Sequence, residues 1–139
     1  MKSVKKTWAE KMRPGMKHVV KTNDKDFADI PAGCAFLIAT PTIVDKYVRS
    51  IPEGKHVLIK QMREDLAAEY HAEYTCPVTA GIFLRIAAEN AYEELMKGKS
   101  ISKITPFWRM IDTKSPSAKK LACGVDFVRE MREKEGLSA

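Results

Sequence analysis

A cysteine at the start of a predicted helix is the first candidate for chemistry in this sequence. Cys76 lies in TCPVTAG, residues 75–81, directly before a proline that suits the first turn of a helix. The positive end of a helix dipole lowers the pKa of a thiol, so an exposed Cys76 would be a candidate reactive thiol. The alternative is a small buried residue, since free cysteine is among the most buried residue types. His71 is the nearest histidine upstream, and the sequence does not show whether it could act as a base.

The remaining thiols and imidazoles show no metal-binding pattern. Three cysteines and three histidines are scattered along the chain: Cys34, Cys76, Cys123, His18, His56 and His71. None of these residues has the close spacing of a zinc site, and the number of cysteines is odd. We therefore expect no metal and no cofactor, and reduced thiols in a reducing compartment.

Positive charge is concentrated in two segments. Residues 1–25 contain eight Lys/Arg and two acids, and residues 97–120 contain seven Lys/Arg and one acid, so each carries +6. The total is also +6, which leaves −6 for the rest of the chain. Two basic segments on an acidic body favour a polyanion partner such as nucleic acid. The alternative is solvated lysines, because charge along a sequence does not place the segments in space.

Length and hydropathy narrow the class of protein. A chain of 139 residues predicts one domain with a single core. The longest apolar run, CAFLIA at 34–39, is far shorter than the roughly 20 residues of a membrane span. Residues 1–15 contain no apolar stretch after their lysines, such as a secretory signal would have. We therefore expect no secretory signal, no membrane partner and a cytoplasmic protein. No heptad pattern predicts a coiled-coil dimer, and we expect a monomer.

Apolar spacing and turn residues predict the elements that must position these groups. Helices are expected at 4–13, 41–51, 60–71, 76–98 and 125–136. Extended segments are expected at 17–21, 34–39, 56–59 and 100–112, a turn at 72–75, and a loop or hairpin at 113–124. The helix over 76–98 is the most regular, and its broad apolar surface, which includes Ile82, predicts a central position. We expect an N-terminal extension over 1–40, with a short helix and strands packed on the core, and a main domain over 41–139.

The order of these elements is typical of one architecture. Two helices joined by a short turn, followed by two extended stretches around a basic loop, are the order of a winged helix-turn-helix. The prediction is therefore an α+β fold that is mainly helical, with a winged helix-turn-helix in the main domain.

Three short motifs follow one another at suggestive spacing. They are SIPEGKHV at 50–57, TPFWRMI at 105–111, and a glycine, Gly124, placed before Glu135-Gly136. Their order resembles the C-terminal domain of the alkylguanine-DNA alkyltransferases, which has an IPxGKV turn, an IPCHRVI motif and a final EG. The resemblance covers about residues 43–136 and implies a winged helix that binds DNA.

The resemblance also implies a changed reaction centre. The family's acceptor cysteine falls on Phe107 and its activating histidine on Trp108, while Arg109 matches and the orienting carboxylate is retained at Glu135. A phenyl ring is not a nucleophile and an indole does not accept a proton from one, so the resemblance implies that the chain is not an enzyme of this kind. We expect Phe107 and Trp108 to fill the emptied centre, with the Trp108 N–H donating to Glu135.

Double-stranded DNA, with an alkylated lesion as one candidate, is the partner that the resemblance implies. Phosphate contacts are expected from six lysines: Lys55, Lys60, Lys103, Lys114, Lys119 and Lys120. On the long helix only Arg85 is basic, and the first two turns, with Thr79, Ala80 and Phe83, are expected to face a groove. Beyond them, acids would repel phosphate: Glu89, Glu93 and Glu94. The family's DNA-contacting tyrosine and arginine have no counterpart of the same type near Ile59 or between Val78 and Gly81.

Three hypotheses follow. The first is a non-enzymatic DNA-binding protein that resembles the cysteine-less alkyltransferase-like proteins, which are similar to damage sensors. The second is a thiol enzyme that uses Cys76. The third is a protein-interaction module that kept the winged helix and lost DNA binding, since fold does not fix function.

Overall fold

The computed structural model describes residues 7–138 and shows an α+β fold that is mainly helical, as predicted. The helices are α1 Trp8–Lys11, α2 Pro41–Arg49, α3 Ile59–Glu69, α4 Pro77–Met96 and α5 Gly124–Lys134. The strands are β1 Val19–Thr22, β2 Ala35–Ile38 and β3 Tyr74–Thr75. Short 3-10 turns cover Ile101–Lys103, Phe107–Arg109 and Ala118–Lys120.

The three strands form one small sheet in the order β1-β2-β3. β1 is antiparallel to β2, with Val19 opposite Ile38, and β2 is parallel to β3, with Leu37 opposite Thr75. A parallel pair needs a long crossover, and here the crossover contains α2 and α3. The sheet thus joins the N-terminal extension to the helical part of the chain. β3 lies within the predicted turn over 72–75, so that prediction was wrong for its last two residues.

The amino-terminal ends of α1 and α2 are capped by nearby side chains. The Thr40 hydroxyl accepts from the Ile43 amide at 3.1 Å, and Pro41 occupies the first turn, as predicted. Thr7 and Glu10 form a reciprocal capping box at the start of α1. α1 is shorter than the predicted helix over 4–13, of which residues 4–6 lie outside the described part of the chain.

α4 runs through the middle of the fold and packs against α1, α2 and α3. Its inward residues are small or apolar: Ala80, Phe83, Leu84, Ala87, Ala88 and Ala91 are buried. Ile82 was expected in this apolar surface, but its side chain is 51% exposed. Because apolar residues occupy nearly every side of α4, their spacing alone did not indicate which side would remain in solvent.

The segment after α4 contains no strand in the described residues, contrary to the predicted extended stretch over 100–112. Residues 104–108 are buried in succession, whereas a strand at a sheet surface would bury alternate residues. Pro106 also removes a backbone donor, and the chain turns through Phe107–Arg109 into the core. Of the predicted loop or hairpin over 113–124, residues 113–123 form a loop with one 3-10 turn and no hairpin, and Gly124 begins α5. The expected strand over 56–59 is absent too, and Ile59 instead begins α3.

Two further observations concern residues 7–138 as a whole. None of their helices combines the length and apolar character that a bilayer crossing requires. Nor do these residues bring three His, Cys, Asp or Glu side chains together in a metal-binding cluster.

Candidate nucleic-acid interface and the centre around Glu135

Glu135 is the shared hydrogen-bond acceptor of a buried polar network between α5 and the turn after α2. Its carboxylate accepts from the Trp108 indole N–H at 2.6 Å and from the Gly54 amide at 2.9 Å. Arg109 donates from Nε to both carboxylate oxygens at 2.9 and 3.2 Å, and from Nη1 to the carbonyl of Ile51 at 2.7 Å. The predicted hydrogen bond from Trp108 to Glu135 is therefore confirmed.

The carboxylate of Glu135 is charged in this setting. Burial alone would raise its pKa, but hydrogen bonds from Arg109, Gly54 and Trp108 outweigh burial and hold the pKa below its usual range. The side chain is only 5% exposed, and that of Arg109 is 16% exposed, so the pair is screened little by solvent. The carboxylate therefore stays ionised, and both of its oxygens accept hydrogen bonds from Trp108, Arg109 or Gly54.

Phe107 and Trp108 occupy the space where the resemblance placed a nucleophile and its base. Phe107 is fully buried, with its ring centroid 5.3 Å from that of Trp108 and 6.0 Å from that of Phe127. A cleft of about 450 Å³ lies against Trp108 and Glu135, bordered by Arg49, Ser102 and Met131. No cysteine or histidine borders this cleft, and its lining combines charged, hydroxyl and apolar side chains.

A second network lies behind Trp108 and was not predicted. The buried guanidinium of Arg132 donates from Nη1 to the Trp108 carbonyl at 2.6 Å and contacts His56 Nδ1 at 3.0 Å. Because an arginine only donates, His56 Nδ1 must accept, which places the proton of the neutral ring on Nε2. Burial, followed by the nearby charge of Arg132, lowers the pKa of His56, while Asp112 acts in the opposite direction.

Protonation of His56 should therefore destabilise the fold. The folded pKa is below the unfolded value of 6.5, so the stability from His56 is present above about pH 6.5 and is lost as pH falls through the folded pKa. Ring NMR of His56, assigned by its absence in His56→Asn, should show an apparent pKa below 6.5 and the Nε2–H tautomer at neutral pH. An apparent pKa at or above 6.5, or the other tautomer, would contradict the contact with Arg132.

The amino-terminal ends of α3 and α4 carry an exposed apolar surface. Leu58 is 64% exposed and Ile59 38%, and on α4 Val78 is 54% and Ile82 51% exposed. Two shallow clefts meet at Ser117, one of about 340 Å³ beside Leu58 and Ile59 and one of about 350 Å³ beside Val78 and Ile82. We call this surface, with the loop 112–120 that crosses it, the α3–α4 face.

The basic loop is tied to α4 from two positions. Arg85 Nη2 donates to the carbonyl of Lys120 at 3.3 Å, and the Ala122 amide donates to Glu89 Oε1 at 2.9 Å. The exposed Lys120 is thereby held next to the first turns of α4, the exposed Lys119 directly precedes it, and Lys114 borders the neighbouring cleft. Three of the six predicted lysines thus come together on one surface.

The other predicted lysines lie apart from this cluster, and all three are exposed. Lys55 is in the turn after α2. Lys60 lies in the first turn of α3, on a different cleft that also contains Asp29 and Arg63. Lys103 follows α4, and its carbonyl accepts from Arg49 at 3.1 Å.

The residues predicted to face a groove on α4 were assigned to the wrong side of the helix. Ala80 is fully buried, Phe83 is 8% exposed, and the hydroxyl of Thr79 is buried without a hydrogen-bond partner. Arg85 was expected to contact DNA; its guanidinium bonds to the carbonyl of Lys120 and to Glu89 and lies 5.6 Å from the ring of Trp8, while its side chain is 41% exposed. The residues that do face solvent, Val78 and Ile82, were not among the predicted contacts.

The acids of α4 are largely neutralised within the fold. Glu93 accepts from the Trp8 amide at 3.3 Å, Glu94 pairs with Lys99, and Glu89 is 4% exposed with partners in Arg85 and the Ala122 amide. The repulsion of phosphate that the sequence predicted from these acids is therefore weakened.

Cys76 is buried, whereas the prediction of a reactive thiol required an exposed one. It caps α4 without a side-chain hydrogen bond and is 4% exposed, packed with Ile30 and Phe36. The other cysteines are poor thiolates: burial and then Glu89 raise the pKa of Cys123 to about 11, and burial and Glu73 raise that of Cys34.

Some site residues carried no recognisable signal in the sequence. Arg132 lies in the amphipathic helix α5 three residues after the exposed Arg129, and nothing in residue type distinguishes the buried cation from the solvated one. His56 was noted only as an isolated histidine.

Scans against protein-family models, curated proteins and solved structures found no match for this chain.

Proposed function

We propose that this chain is a non-enzymatic DNA-binding protein, related to the methylated-DNA alkyltransferases and built on their winged helix-turn-helix plan. In this proposal α3 and α4 are the helix-turn-helix, and the loop 112–120 takes the place of the wing. The protein binds double-stranded DNA as a monomer and is a candidate sensor of alkylated guanine.

One observation carries the proposal. Lys120 borders the cleft beside the exposed first turns of α4, Lys114 borders the neighbouring cleft beside α3, and the two clefts contain only one acid, Asp112. The exposed Lys119 directly precedes Lys120 in the same loop. A helix flanked by lysines that can reach phosphates is the arrangement by which helix-turn-helix proteins hold a groove. The absence of an acid on the outer side of these turns supports the assignment to α4, since the first glutamate, Glu89, is buried.

The binding is proposed to be non-covalent. At the position of the family's cysteine stands the buried Phe107, and Glu135, which would orient a histidine, instead accepts from Trp108 and Arg109. Incubation with DNA that carries a labelled alkyl group on guanine should leave the protein unlabelled. Stoichiometric transfer of the label to the protein would overturn this part of the proposal.

A charge reversal tests the DNA interface. Fluorescence anisotropy should show that the wild-type chain binds a labelled duplex with an affinity that falls steeply between about 50 mM and about 200 mM salt. The double variant K119E/K120E should bind at least about tenfold more weakly and lower the salt slope by about two units, one for each lost phosphate contact. The matched control is K46E/K134E, which makes the same charge change on exposed lysines of α2 and α5.

The two double variants distinguish DNA binding at the α3–α4 face from non-specific electrostatic attraction between DNA and the whole protein. Equal loss in both variants would mean that DNA responds only to net charge and would reject the α3–α4 face. A duplex with one alkylguanine tests the sensor function: tighter binding than to the plain duplex supports it, and equal binding rejects it. No binding at low salt would reject DNA as the partner.

A protein-interaction module is the second candidate, and the apolar exposure favours it. Leu58, Ile59, Val78 and Ile82 are unusually exposed for large apolar side chains and lie around neighbouring clefts, as at a protein interface. Under this alternative, DNA binding at low salt is absent, while Ile82→Asp abolishes the binding of a protein partner without altering thermal stability.

A further inference from the structure

β1 is an edge strand of the small sheet, and no strand lies along its outer side in residues 7–138. All four of its residues are exposed, with Val19 at 44% and Val20 at 43%. An exposed edge strand offers a row of unpaired backbone groups with which another extended chain can pair. The outer side of β1 is therefore a candidate docking surface.

The backbone groups of Val20 and Thr22 face this outer side. Ala35 and Leu37 of β2 accept hydrogen bonds from amides on the β3 side, at 3.0 and 2.8 Å. In the register of the sheet, Thr22 is opposite Ala35 and Val20 is opposite Leu37. Because hydrogen-bonded and non-hydrogen-bonded pairs alternate along antiparallel strands, these two pairs are the non-hydrogen-bonded ones. The N–H and C=O groups of Val20 and Thr22 consequently point away from β2.

The side chains along β1 combine apolar contact with positive charge. Val19 and Lys21 lie on one face of the sheet, and Val20 lies on the other. Lys17 lies two residues before Val19, and both lysines are exposed. Residues 11–23 contain four Lys/Arg and no acid. A complementary strand would therefore carry acids on both sides of an apolar residue.

This charge distinguishes among the occupants of the edge. A second copy of the chain would bring the lysines of two β1 strands together, and like charges on paired strands are destabilising. The phosphates of duplex DNA would pair with the lysines, but they only accept hydrogen bonds and offer no donor to the carbonyls of Val20 and Thr22. An extended acidic peptide satisfies both the lysines and the backbone groups.

We propose that β1 binds an extended acidic segment of another protein, which joins the sheet as a fourth strand. Main-chain hydrogen bonds to Val20 and Thr22 supply affinity, and acids that face Lys17 and Lys21 supply specificity. This inference goes beyond the proposed DNA binding and does not depend on it, since the lysines assigned to DNA lie in the loop 112–120.

The test compares two fluorescein-labelled peptides. One has the sequence Thr-Glu-Ile-Val-Ile-Glu-Thr, and in the other both glutamates are replaced by lysine. Fluorescence anisotropy should show that the wild-type chain binds the acidic peptide at least about tenfold more tightly. Amide exchange measured by NMR should slow at Val20 and Thr22 when the acidic peptide is bound, because their N–H groups gain acceptors.

A charge reversal locates the site. The double variant K17E/K21E should reverse the preference for the acidic peptide. The matched control K46E/K134E makes the same charge change on exposed lysines of α2 and α5 and should keep the preference.

A proline at Val20 tests the backbone pairing. Val20→Pro removes the outward N–H without breaking a hydrogen bond between β1 and β2, and should weaken binding of the acidic peptide at least about fivefold. Val20→Thr keeps the side-chain shape and the N–H, and its affinity should stay within about twofold of wild type. If the proline lowers the thermal midpoint, the charge variants and the amide exchange still decide the result.

Three results would overturn the inference: equal affinity for the two peptides, unchanged exchange at Val20 and Thr22, or an equal loss of preference in both double variants. Self-association of the chain that protects the same two amides would assign the edge to a second copy instead. A K17E/K21E variant that loses duplex binding but keeps the peptide preference would assign these lysines to DNA and would overturn the inference as well.

Discussion

Replacing Glu135 with alanine should lower the free energy of unfolding by about 3–5 kcal/mol, as measured by urea denaturation at neutral pH. The carboxylate is 5% exposed and is the shared acceptor for Trp108, Arg109 and the Gly54 amide. Its removal leaves the charge of Arg109 without its counter-ion in a site that is 16% exposed, together with two unpaired donors.

The same helix provides the control. Glu130 pairs with Lys134 at 3.3 Å, but both side chains are largely exposed, so Glu130→Ala should change stability by no more than about 0.5 kcal/mol. The pH dependence gives a second readout. Because the folded pKa of Glu135 is lowered, its contribution is present above the unfolded value of about 4.3 and is lost as pH falls through the folded pKa. A loss below about 1 kcal/mol in Glu135→Ala would show that this network does not hold α5 to the 50–57 turn.

Replacing Phe107 with alanine should cost about 3–5 kcal/mol of unfolding free energy. The ring is fully buried and lies against Trp108 and Phe127, with centroid distances of 5.3 and 6.0 Å. Truncation removes these contacts and leaves a cavity beside Trp108, whose indole is held by its hydrogen bond to Glu135.

A volume-conserving variant distinguishes packing from other causes. Phe107→Leu keeps most of the buried volume and should cost less than about 1.5 kcal/mol. Near-equal losses in the alanine and leucine variants would contradict the cavity explanation. A small loss in both would mean that the space beside Trp108 collapses freely, and that Phe107 is not needed to fill it.

Local chemistry made several elements predictable. Thr40 and Pro41 specify the start of α2 through a side-chain cap and a fixed φ, and neither effect depends on distant residues. Pro77 opens α4, and Gly98 follows its end with a φ of +104°, a conformation that favours glycine. The hydrogen bond between Trp108 and Glu135 was also predicted, although it spans 27 residues, because the motif resemblance placed the two side chains together.

Other features depended on neighbours that are distant in sequence. β3 has two residues and exists only because β2 lies beside it. Residues 104–108 contain β-branched residues typical of a strand, yet successive side chains are buried, and the chain passes through Pro106 into the 3-10 turn Phe107–Arg109.

The sequence by itself determined the helical content and the start of α2, because residue type and near neighbours decide those properties. Tertiary structure decided which side of α4 faces solvent, so that Ile82 rather than Phe83 is exposed. It also decided that Arg132 is buried against His56 while Arg129 is solvated. The reason is that the surfaces against which a helix packs decide its rotation about its own axis and the partners of its side chains.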